Sequence, residues 1–482
     1  MKRILIILTV TFIISCQQEP KPVKPLSIVP TAQQMAYQKM EQIGFIHFGV
    51  NTFMDKEWGY GDEDPAIFNP LDLDTEQWAR TAKEAGLKQL ILTAKHHDGF
   101  CLWPSKFTEH SVKNSPWKNG KGDLVREFVD ACNKYGLKAG LYLSPWDRNH
   151  AEYGRDAYVK YYHNQLREIL SNYGEISEVW FDGANGGDGY YGGARENRKI
   201  DRDKYYQWDT ITHIVRKLQP NAVIFSDKGD VRWIGNENGY AGETNWSLIQ
   251  PDKLKIGGSN QQAYLNSGDE KGTTWSVGEC DVSIRPGWFY HENQDSLVKS
   301  LDDLKKIYFA SVGRNGTLLI NIPPGKNGLW HQNDVDRLIE FGEFIEGNFK
   351  ENLVFGNNIQ ADNYRGKHIK YHPKNIFDED TETYWATDDN ITAASVEIDL
   401  GKPVTFNTIM IQEYIKLGQR VKSFTIEAFI DDVWVKISEG TTIGYKRILQ
   451  TSEIKTDKVR FKILDAKACP IISNFALFNI NQ

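Results

Sequence analysis

The amino-acid sequence predicts a (β/α)8-type barrel, of class α/β, followed by an antiparallel β-sandwich. Between about residues 35 and 325, strand-like and helix-like runs alternate in units of about 40 residues, which is typical of a parallel sheet closed into a barrel. After Asn352 the helical periodicity ends, and short alternating runs separated by turn residues indicate a sandwich. The length of 482 residues also favours more than one domain.

The barrel elements can be assigned in chain order from their hydrophobic periodicity and their end signals. The predicted strands are 44–49, 88–94, 137–143, 178–182, 222–226 and 317–322. The predicted helices are 75–86, 123–135, 157–172, 203–218 and 296–313, with 334–348 as the junction to the second domain. Residues 240–295 carry few helix signals, so we expect the barrel to be irregular there. The sandwich strands are predicted within 396–400, 405–413, 423–429, 434–437 and 458–464.

The N-terminus has the features of an export signal. Lys2 and Arg3 precede the apolar run 4–14, which is too short to span a membrane as a mature helix. The run leads into the sequence IISC at 13–16, which resembles the lipobox of bacterial lipoproteins, where cleavage precedes a cysteine that is then lipidated. A plain signal peptide that happens to contain a cysteine is the alternative.

These observations predict four segments and a location. Residues 1–15 are expected to be the signal peptide, 16–34 a tether, 35–350 the catalytic barrel and 351–482 the sandwich. The protein is then an exported lipoprotein, periplasmic or on the cell surface, whose membrane contact is the lipid on Cys16.

Composition excludes some classes of function. The net charge of −7 leaves no basic stripe for phosphates, which argues against a nucleic-acid partner. Aromatic residues are abundant, with 14 Trp, 22 Tyr and 23 Phe, as in many proteins that bind carbohydrate. Besides Cys16, the four cysteines are scattered without CxxC spacing, so we expect buried free thiols rather than a disulfide framework or a zinc site.

Polar side chains recur where the predicted barrel strands end. His47 closes the first strand, His96 and His97 the second, Tyr142 the third and Asp182 the fourth. The carboxyl ends of barrel strands carry the catalytic side chains in enzymes of this architecture. Aromatic rings beside Asp182 suit the stacking of sugar rings. Taken alone, Asp182 could also be the cap of a turn.

The same side chains suggest metal-dependent hydrolysis as an alternative. His47, His96, His97 and Asp182 would make a credible zinc ligand set. The HxH and HExxH spacings are absent, and the neighbouring His96 and His97 would point to opposite faces of a strand. We therefore expect no metal, and keep the metal-dependent hydrolase as a hypothesis to be tested.

The motifs as a set resemble the α-L-fucosidases of glycoside hydrolase family 29. They are HFG at 47–49, KHHDGF at 95–100, YLSPW at 142–146, WFDG at 180–183, GRNGTLL at 313–319 and NIPP at 321–324. The resemblance implies a retaining mechanism without a cofactor, in which Asp182 is the nucleophile. Retention requires a second carboxyl group about 5–5.5 Å away as acid and base.

The second carboxylate has several candidates in the sequence. They are Asp227, Asp230, Glu237, Glu243, Glu279 and Asp281. The segment 230–237 resembles the loop after the fifth strand in the branch of the family that cleaves α1,3- and α1,4-linked fucose from Lewis-type glycans. That resemblance favours Glu237, with Glu279 as second choice and Glu243 as third. The expected partners are fucosylated oligosaccharides and glycoconjugates.

The resemblance also implies a sugar pocket, carried over residue by residue. Its expected members are His47, His96, His97, Trp103, Tyr142, Trp180 and Trp288. Trp288 is expected to be the apolar wall for the C6 methyl group of fucose. Glu57 and Trp58 are a weaker carry-over, for contacts to a galactose branch. A broad-specificity enzyme of the same family and a catalytically inactive fucose-binding lectin remain as alternatives.

The C-terminal region has a resemblance of its own. NIFD at 375–378 and TYWAT at 383–387 are similar to the discoidin or F5/8 type C sandwich, which is related to family 32 carbohydrate-binding modules. These motif residues are mostly structural in that fold. Sugar binding and simple packing against the barrel therefore both remain open for this domain.

Overall fold

The computed structural model describes residues 19–354, 358–378 and 380–480. Eight parallel strands form a closed barrel in which neighbours in the sheet are also neighbours along the chain. They are β1 Gln42–Ile46, β2 Gln89–Lys95, β3 Lys138–Leu143, β4 Glu178–Trp180, β5 Val223–Phe225, β6 Val231–Trp233, β7 Val277–Ser283 and β8 Gly316–Asn321. The predicted barrel is confirmed.

Nine helices accompany this barrel in the part of the chain that the structure describes. They are α1 Ala32–Gln38, α2 Val50–Met54, α3 Thr75–Glu84, α4 Leu124–Tyr135, α5 Asp156–Asn172, α6 Trp208–Leu218, α7 Gln262–Ser267, α8 Leu301–Ala310 and α9 Gln332–Asn348. Side-chain caps explain why α3 and α4 start close to their predicted positions, since Asp74 and Asp123 accept backbone N–H groups of the first turn. α8 starts at Leu301 rather than at 296, because Ser300 is its N-cap.

The barrel is irregular on one side, as expected for residues 240–295. Between β6 and β7 lie the six-residue α7, a 3-10 turn at Pro251–Lys253 and a small hairpin of Leu248–Ile249 with Thr274–Trp275. The irregularity begins earlier than predicted, because no helix separates β5 from β6, both of which the structure describes in full. These two strands pair at Phe225 and Val231 after a tight turn.

Helix α1 closes the end of the barrel at which the strands begin. The side-chain amide of Gln34 donates to the carbonyls of Asp230 (3.0 Å) and Trp275 (2.8 Å), which precede β6 and β7. The Tyr37 hydroxyl donates to Glu279 inside the barrel. The barrel is therefore filled from this end, and open space is left at the carboxyl ends of the strands.

The predicted sandwich is also confirmed. Its antiparallel strands are β9 Asn358–Ala361, β10 Trp385–Ala386, β11 Ala394–Glu413, β12 Val421–Ile430, β13 Val433–Gly440, β14 Arg447–Ala466 and β15 Ile471–Phe478. Their order is β10-β15-β11-β14-β12-β13, and β9 pairs with β11. The long strand β11 has register shifts after Asp399 and Phe406, where bulges let it bend around the apolar core.

The sandwich packs against the closed end of the barrel. Asn315, directly before β8, accepts the N–H of Tyr445 (2.8 Å). Gln419 bonds the backbone of Asn245 and Ser247, which lead into the small hairpin. The sandwich therefore lies at the opposite end of the barrel from the carboxyl ends of the strands.

Residues 19–26 fall within the predicted tether, yet they pack along the sandwich. The Leu26 N–H donates to Leu417 (3.0 Å), and Val23 is buried. Residues 1–18, with the predicted signal peptide and Cys16, lie outside the described residues. Among the residues described, no helix has both the length and the apolar character needed to cross a bilayer.

Candidate active site

A cavity of about 640 Å³ opens at the carboxyl ends of the barrel strands. It brings together most of the side chains that the sequence singled out. The lining includes His47, His96, His97, Tyr142, Trp180, Asp182, Glu237, Trp288, Glu57 and Trp58. These residues come from the ends of β1, β2, β3 and β4 and from the loops after β1, β6 and β7. Closure of the barrel, rather than proximity along the chain, makes them neighbours.

Asp182 lies two residues beyond the end of β4, with a quarter of its side chain exposed to the cavity. One carboxylate oxygen accepts the N–H of Ala184 (2.7 Å), and the other accepts the hydroxyl of Tyr142 (3.0 Å). Burial raises the pKa of Asp182, and these two hydrogen bonds oppose that increase by stabilising the ionised form. The carboxylate is thus fixed in orientation and points at open space.

The hydrogen bonds of His47 define its tautomer. The side-chain nitrogen of Asn321 donates to the carbonyl of Trp288 (2.8 Å), so the Asn321 oxygen faces His47. His47 Nδ1 must therefore carry the hydrogen in this 2.9 Å contact. Burial lowers the pKa of His47 to about 3, so the ring is neutral and its Nε2 is a hydrogen-bond acceptor.

His97 and His96 present opposite hydrogen-bonding groups. The Ser144 hydroxyl donates its hydrogen to the Trp146 carbonyl (2.7 Å), so it must accept the hydrogen of His97 Nδ1 (2.8 Å). His97 Nε2, which lies 3.7 Å from Asp182, is then without a hydrogen and acts as an acceptor. The amide nitrogen of Asn51 lies 3.4 Å from His96 Nδ1, which makes that atom the acceptor and His96 Nε2 a donor. Burial lowers the pKa of both rings. The three histidines together form a neutral, directional set of hydroxyl partners.

Stacked aromatic rings form the floor of the cavity. Trp180 stacks on Phe225 with ring centroids 3.9 Å apart and on Tyr142 at 5.2 Å. The Trp180 indole N–H donates to Glu279 (2.8 Å), which lies fully buried beneath it. The floor therefore presents apolar ring faces to the cavity, while the Trp180 indole N–H is hydrogen-bonded on the side away from it.

Glu57 holds one wall of the cavity in place. Its carboxylate accepts the backbone N–H groups of Trp288 (2.9 Å) and Phe289 (3.3 Å) and contacts His291 Nε2 (2.7 Å). It therefore orients the loop after β7 that carries Trp288. Trp58 is half exposed at the rim, edge-on to His97.

Three of the six candidate carboxylates line the cavity: Asp227, Glu237 and Asp281. Glu237 is exposed and accepts the indole N–H of Trp288 (3.1 Å). Asp281 is buried against the Trp233 indole, and its pKa is raised by burial and by the charge of Glu237. Asp227 is also buried, which raises its pKa to about 6.

The other three carboxylates do not line the cavity. Glu279 lies deeper in the barrel, where it accepts from Tyr37 and Trp180 and where burial raises its pKa to about 7. Glu243 pairs with Arg314 and Arg447 where the sandwich meets the barrel. Asp230 pairs with Arg216. The structure therefore removes the second and third choices, Glu279 and Glu243, from the reacting space.

Trp103 is the one predicted pocket residue that the structure places elsewhere. It is buried outside the barrel interior, and its indole N–H donates to Glu168 of α5 (2.8 Å). It does not line the cavity. The family resemblance implied a place in the pocket for Trp103, but the loop after β2 turns its side chain toward the helical layer.

Several cavity residues were missed by sequence reasoning. Phe45, Phe225, Trp233 and Phe289 line the cavity, and Asn321 orients His47. Strand alternation could have found Phe45, which lies two residues before His47 on the same face of β1. The same alternation places Asp281, already a candidate, on the inward face of β7, because it lies two residues after Glu279. Trp233 and Phe289 carry no such local signal.

The arrangement suits a polyhydroxylated ring. The cavity combines a stacked aromatic floor, neutral histidines with defined donors and acceptors, and several carboxylates, two of which are needed to cleave a glycosidic bond. Within residues 19–354, 358–378 and 380–480, no three His, Cys, Asp or Glu side chains are grouped so that they could hold a metal ion.

Comparison with known proteins agrees with this geometry. Residues 29–350 match the family described as Alpha-L-fucosidase, and residues 358–475 match the F5/8 type C domain. Alpha-L-fucosidase 1 of Arabidopsis thaliana is 42% identical over 95% of this chain and 88% of its own length.

Solved structures extend the similarity to three dimensions. A putative alpha-L-fucosidase from Bacteroides thetaiotaomicron has a TM-score of 0.89 at 42% identity, over 95% of this chain and 99% of that one. A family 29 fucosidase of Ruminococcus gnavus, solved in complex with fucose, has a TM-score of 0.86 at 36% identity, over 96% of this chain and 97% of that one. The chain therefore belongs to the alpha-L-fucosidase family, glycoside hydrolase family 29, and carries a C-terminal F5/8 type C domain.

Proposed function

We propose that this α-L-fucosidase is a retaining exo-enzyme that removes terminal α1,3- and α1,4-linked L-fucose from branched, Lewis-type glycans. The observation that carries the mechanism is the placement of Asp182 and Glu237 on one cavity, with neutral histidines and a stacked aromatic floor between the strand ends. Fucose as the bound sugar is supported by the family and by the Ruminococcus gnavus relative solved with fucose.

In the first step, a carboxylate oxygen of Asp182 attacks the anomeric carbon of fucose. The bond from that carbon to the glycosidic oxygen breaks, and Glu237 gives its proton to the departing oxygen. The product is a fucosyl ester on Asp182 and a free acceptor glycan. The hydrogen bonds from Ala184 and Tyr142 keep Asp182 oriented and favour its ionised form before attack.

In the second step, water attacks the same carbon of the fucosyl ester. Glu237 takes a proton from the water, the ester bond breaks, and Asp182 leaves as a carboxylate. Two inversions give fucose with its original anomeric configuration. Glu237 is the preferred acid and base because it lines the cavity and is exposed to solvent, where a leaving glycan can be released, whereas Asp281 is buried.

Selectivity for fucose depends on which hydrogen-bond partners and apolar contacts the pocket offers to the groups on the sugar ring. Burying the C6 methyl group against Trp288 contributes only about 1 kcal/mol. Discrimination against galactose must therefore come mainly from the lack of partners for a 6-hydroxyl group. His47 and His97 accept from sugar hydroxyls and His96 donates to one, according to the tautomers assigned above.

The stereochemistry of azide rescue tests both catalytic assignments. On a fucoside with a good leaving group, Asp182→Ala should yield β-fucosyl azide by a single displacement, and Glu237→Ala should yield α-fucosyl azide from the glycosyl-enzyme. Asp227→Ala, Asp281→Ala and Glu279→Ala serve as controls. Formation of α-fucosyl azide by one of these instead would contradict the assignment of Glu237.

The branch specificity is supported by the resemblance of the segment 230–237, in which residues 231–233 form strand β6 rather than the expected loop, and by Glu57 and Trp58 beside the pocket. An enzyme of this branch should cleave Lewis trisaccharides well and hardly act on a simple aryl fucoside. Strong activity on the aryl fucoside alone would favour the broad-specificity alternative. Binding of Lewis trisaccharide without hydrolysis would favour the inactive lectin.

Metal dependence is tested separately. Activity on a Lewis trisaccharide should persist unchanged after exhaustive chelation and removal of the chelator. Loss of activity that added Zn²⁺ restores would favour the metal-dependent hydrolase.

We also propose that the protein is exported and anchored by a lipid on Cys16, on the strength of the IISC sequence at 13–16. In a bacterial host, radiolabelled palmitate should be incorporated into the full chain and not into Cys16→Ser. Equal incorporation, or none in either protein, would contradict the anchor.

A further inference from the structure

The segment after Cys16 is held on the sandwich from the first residue that the structure describes. Arg365, itself buried, donates to the carbonyl of Lys21 (2.7 Å). Arg420, also buried, donates to the carbonyl of Lys24 (2.6 Å). Buried guanidinium groups that donate to backbone carbonyls indicate a built docking site and not a casual surface contact.

Apolar and ionic contacts reinforce this docking. Val23 is buried in a small cluster with Tyr371, Cys469 and Ile471. Pro20 lies so close to Gly366 that a Cβ at position 366 would come within 2.9 Å of it. Glu19 forms an ion pair with Lys370. Residues 19–24 are therefore part of the sandwich surface.

The length of the remaining chain limits how far Cys16 can lie from that surface. Only residues 17 and 18 separate Cys16 from Glu19. Three residue steps of a fully extended chain reach about 11 Å. A lipid on Cys16 would therefore place a membrane surface within about 11 Å of Glu19 and of the residues around it.

The surface around Glu19 has the composition of a membrane-contacting patch. We define the anchor-side patch as Lys21, Lys24, Lys367, Ile369, Lys370 and Lys374, all of which are exposed. Ile369 is 70% exposed and lies between Lys367 and Lys370 in the chain. Glu19 and Asp389 offset part of the charge by pairing with Lys370 and Arg365, and Asp388 adds a third carboxylate beside Lys367, where it accepts the N–H of Gly366. The patch is still basic, on a chain whose net charge is −7.

We propose that the anchor-side patch rests on the anionic lipid surface of the membrane that carries the Cys16 lipid. The inference depends on the proposed lipid anchor. Lysines attract acidic headgroups, and one exposed aliphatic side chain among them suits the headgroup boundary. A basic patch beside the lipid adds electrostatic attraction to the same acidic surface.

The patch lies on a different domain from the catalytic cavity. The patch belongs to the sandwich, and the sandwich packs against the closed end of the barrel through Asn315 and Gln419. The cavity opens at the other end of the barrel. The domain that carries the patch therefore contacts the end of the barrel opposite to the cavity mouth.

Site-specific fluorescence on the full lipidated chain tests the contact. Ile369→Cys is labelled with an environment-sensitive dye and reconstituted into vesicles that contain about one-third anionic phospholipid. Val433→Cys is the matched control, because Val433 is 56% exposed at the opposite end of the sheet order. The four other cysteines within the described residues are buried and should not label.

The expected result is a blue-shifted emission at position 369 and several-fold weaker quenching by iodide than at position 433. Adding Lys367→Glu and Lys374→Glu should abolish this protection, whereas Lys436→Glu on β13 should not. Equal quenching at both positions in protein that carries the lipid would overturn the membrane contact alone. Protein that carries no lipid would overturn the anchor and the contact with it, and hydrolysis of Lewis trisaccharide by the same preparation reports the enzymatic proposal independently.

Discussion

At the scale of single residues, the Tyr142 hydroxyl helps to control the charge of Asp182. We expect Tyr142→Phe to raise the pKa of Asp182, because the hydrogen bond from Tyr142 favours the ionised carboxylate. Since the nucleophile acts when ionised, the acidic limb of the kcat/KM profile should move to higher pH. Profiles of kcat/KM against pH measure this shift.

Tyr162→Phe is the matched control for that substitution. Tyr162 is equally buried, but its hydroxyl donates to the carbonyl of Leu143 (2.9 Å) and not to a carboxylate. The acidic limb of the kcat/KM profile of Tyr162→Phe should stay at the pH of the wild-type limb. A similar shift in both variants would mean that the effect comes from packing and not from the bond to Asp182.

The buried pair of Glu178 and Glu279 makes stability depend on pH. Burial raises the pKa of Glu279 to about 7 and that of Glu178 well above its usual value. The folded state therefore holds more protons than the unfolded chain above about pH 4.5. The protonated pair therefore contributes to the free energy of unfolding at low pH, and this contribution is lost as the pH rises toward and through 7.

Glu279→Gln should remove part of that dependence. Its amide oxygen can still accept from Trp180, while one titrating group is gone. We expect the decrease in unfolding free energy between pH 5 and 8 to be smaller in the variant, by up to about 1.4 kcal/mol per pH unit for one proton. Urea unfolding at several pH values measures it, with Glu152→Gln on the surface as control. Parallel curves for wild type and Glu279→Gln would contradict the assignment.

At the scale of elements, the loop after β4 and the 255–262 loop approach each other closely at Gly183 and Gly257. Gly257 has a φ of +59°, and a Cβ there would lie 1.9 Å from the carbonyl oxygen of Gly183, the residue after Asp182. Gly257→Ala should therefore displace the 255–262 loop, which lines the cavity, and reduce kcat/KM by about tenfold or more.

Gly136→Ala separates the two causes of that effect. Gly136 has a φ of +69°, so alanine is strained there as well, but its Cβ would meet no atom within 4 Å. This control should lose stability by about 1 kcal/mol and keep its activity. Equal activity of the two variants would show that the close approach of the loops does not matter for catalysis.

A second element-scale prediction concerns the loop after β7. Glu57→Ala removes the acceptor for the N–H groups of Trp288 and Phe289, so Trp288 should lose its fixed position. We expect KM to rise by about tenfold with a smaller change in kcat, because the wall binds substrate and transition state alike. Asp55→Ala, which loses only a contact to His291, should change KM little. Steady-state kinetics on a Lewis trisaccharide decides between these outcomes.

At the scale of the whole molecule, Asn315 joins three parts of the chain. Its side chain accepts from Gln38 of α1 (3.0 Å) and from Tyr445 of the sandwich (2.8 Å), and it donates to Asn245 and Ser247. Asn315→Gly keeps the left-handed backbone, with φ at +61° in the native protein, and removes these bonds. We expect a loss of about 2–4 kcal/mol in stability, at roughly 1 kcal/mol per bond.

Calorimetry and kinetics together test that prediction. The melting temperature of Asn315→Gly should fall by several degrees, and kcat should hold, because the cavity lies at the other end of the barrel. Asn119→Gly, at an exposed residue with φ at +55°, is the control and should melt as wild type does. A loss of kcat without a change in melting would contradict a purely structural role.

Predictions from the sequence succeeded where the signal was local. Helix starts followed from capping residues such as Asp74 and Asp123, which act on the N–H groups of their own first turn. The strand ends were visible because apolar runs stop at polar residues, and Asp182 is one of them. Trp103 was carried over from the family resemblance, whereas in the structure its indole N–H donates to Glu168, 65 residues away along the chain.

The sequence by itself determined six of the eight barrel strands, the barrel and the sandwich, and the family to which the chain belongs, but not strands β6 and β7. Only the tertiary structure decided which carboxylates share the cavity. Glu279 and Asp281 lie on the same face of one strand, yet the first is sealed beneath Trp180 and the second lines the cavity. Depth in a barrel is set by closure of the sheet and by α1 filling its far end, and these contacts join residues too distant in the chain to leave a local pattern.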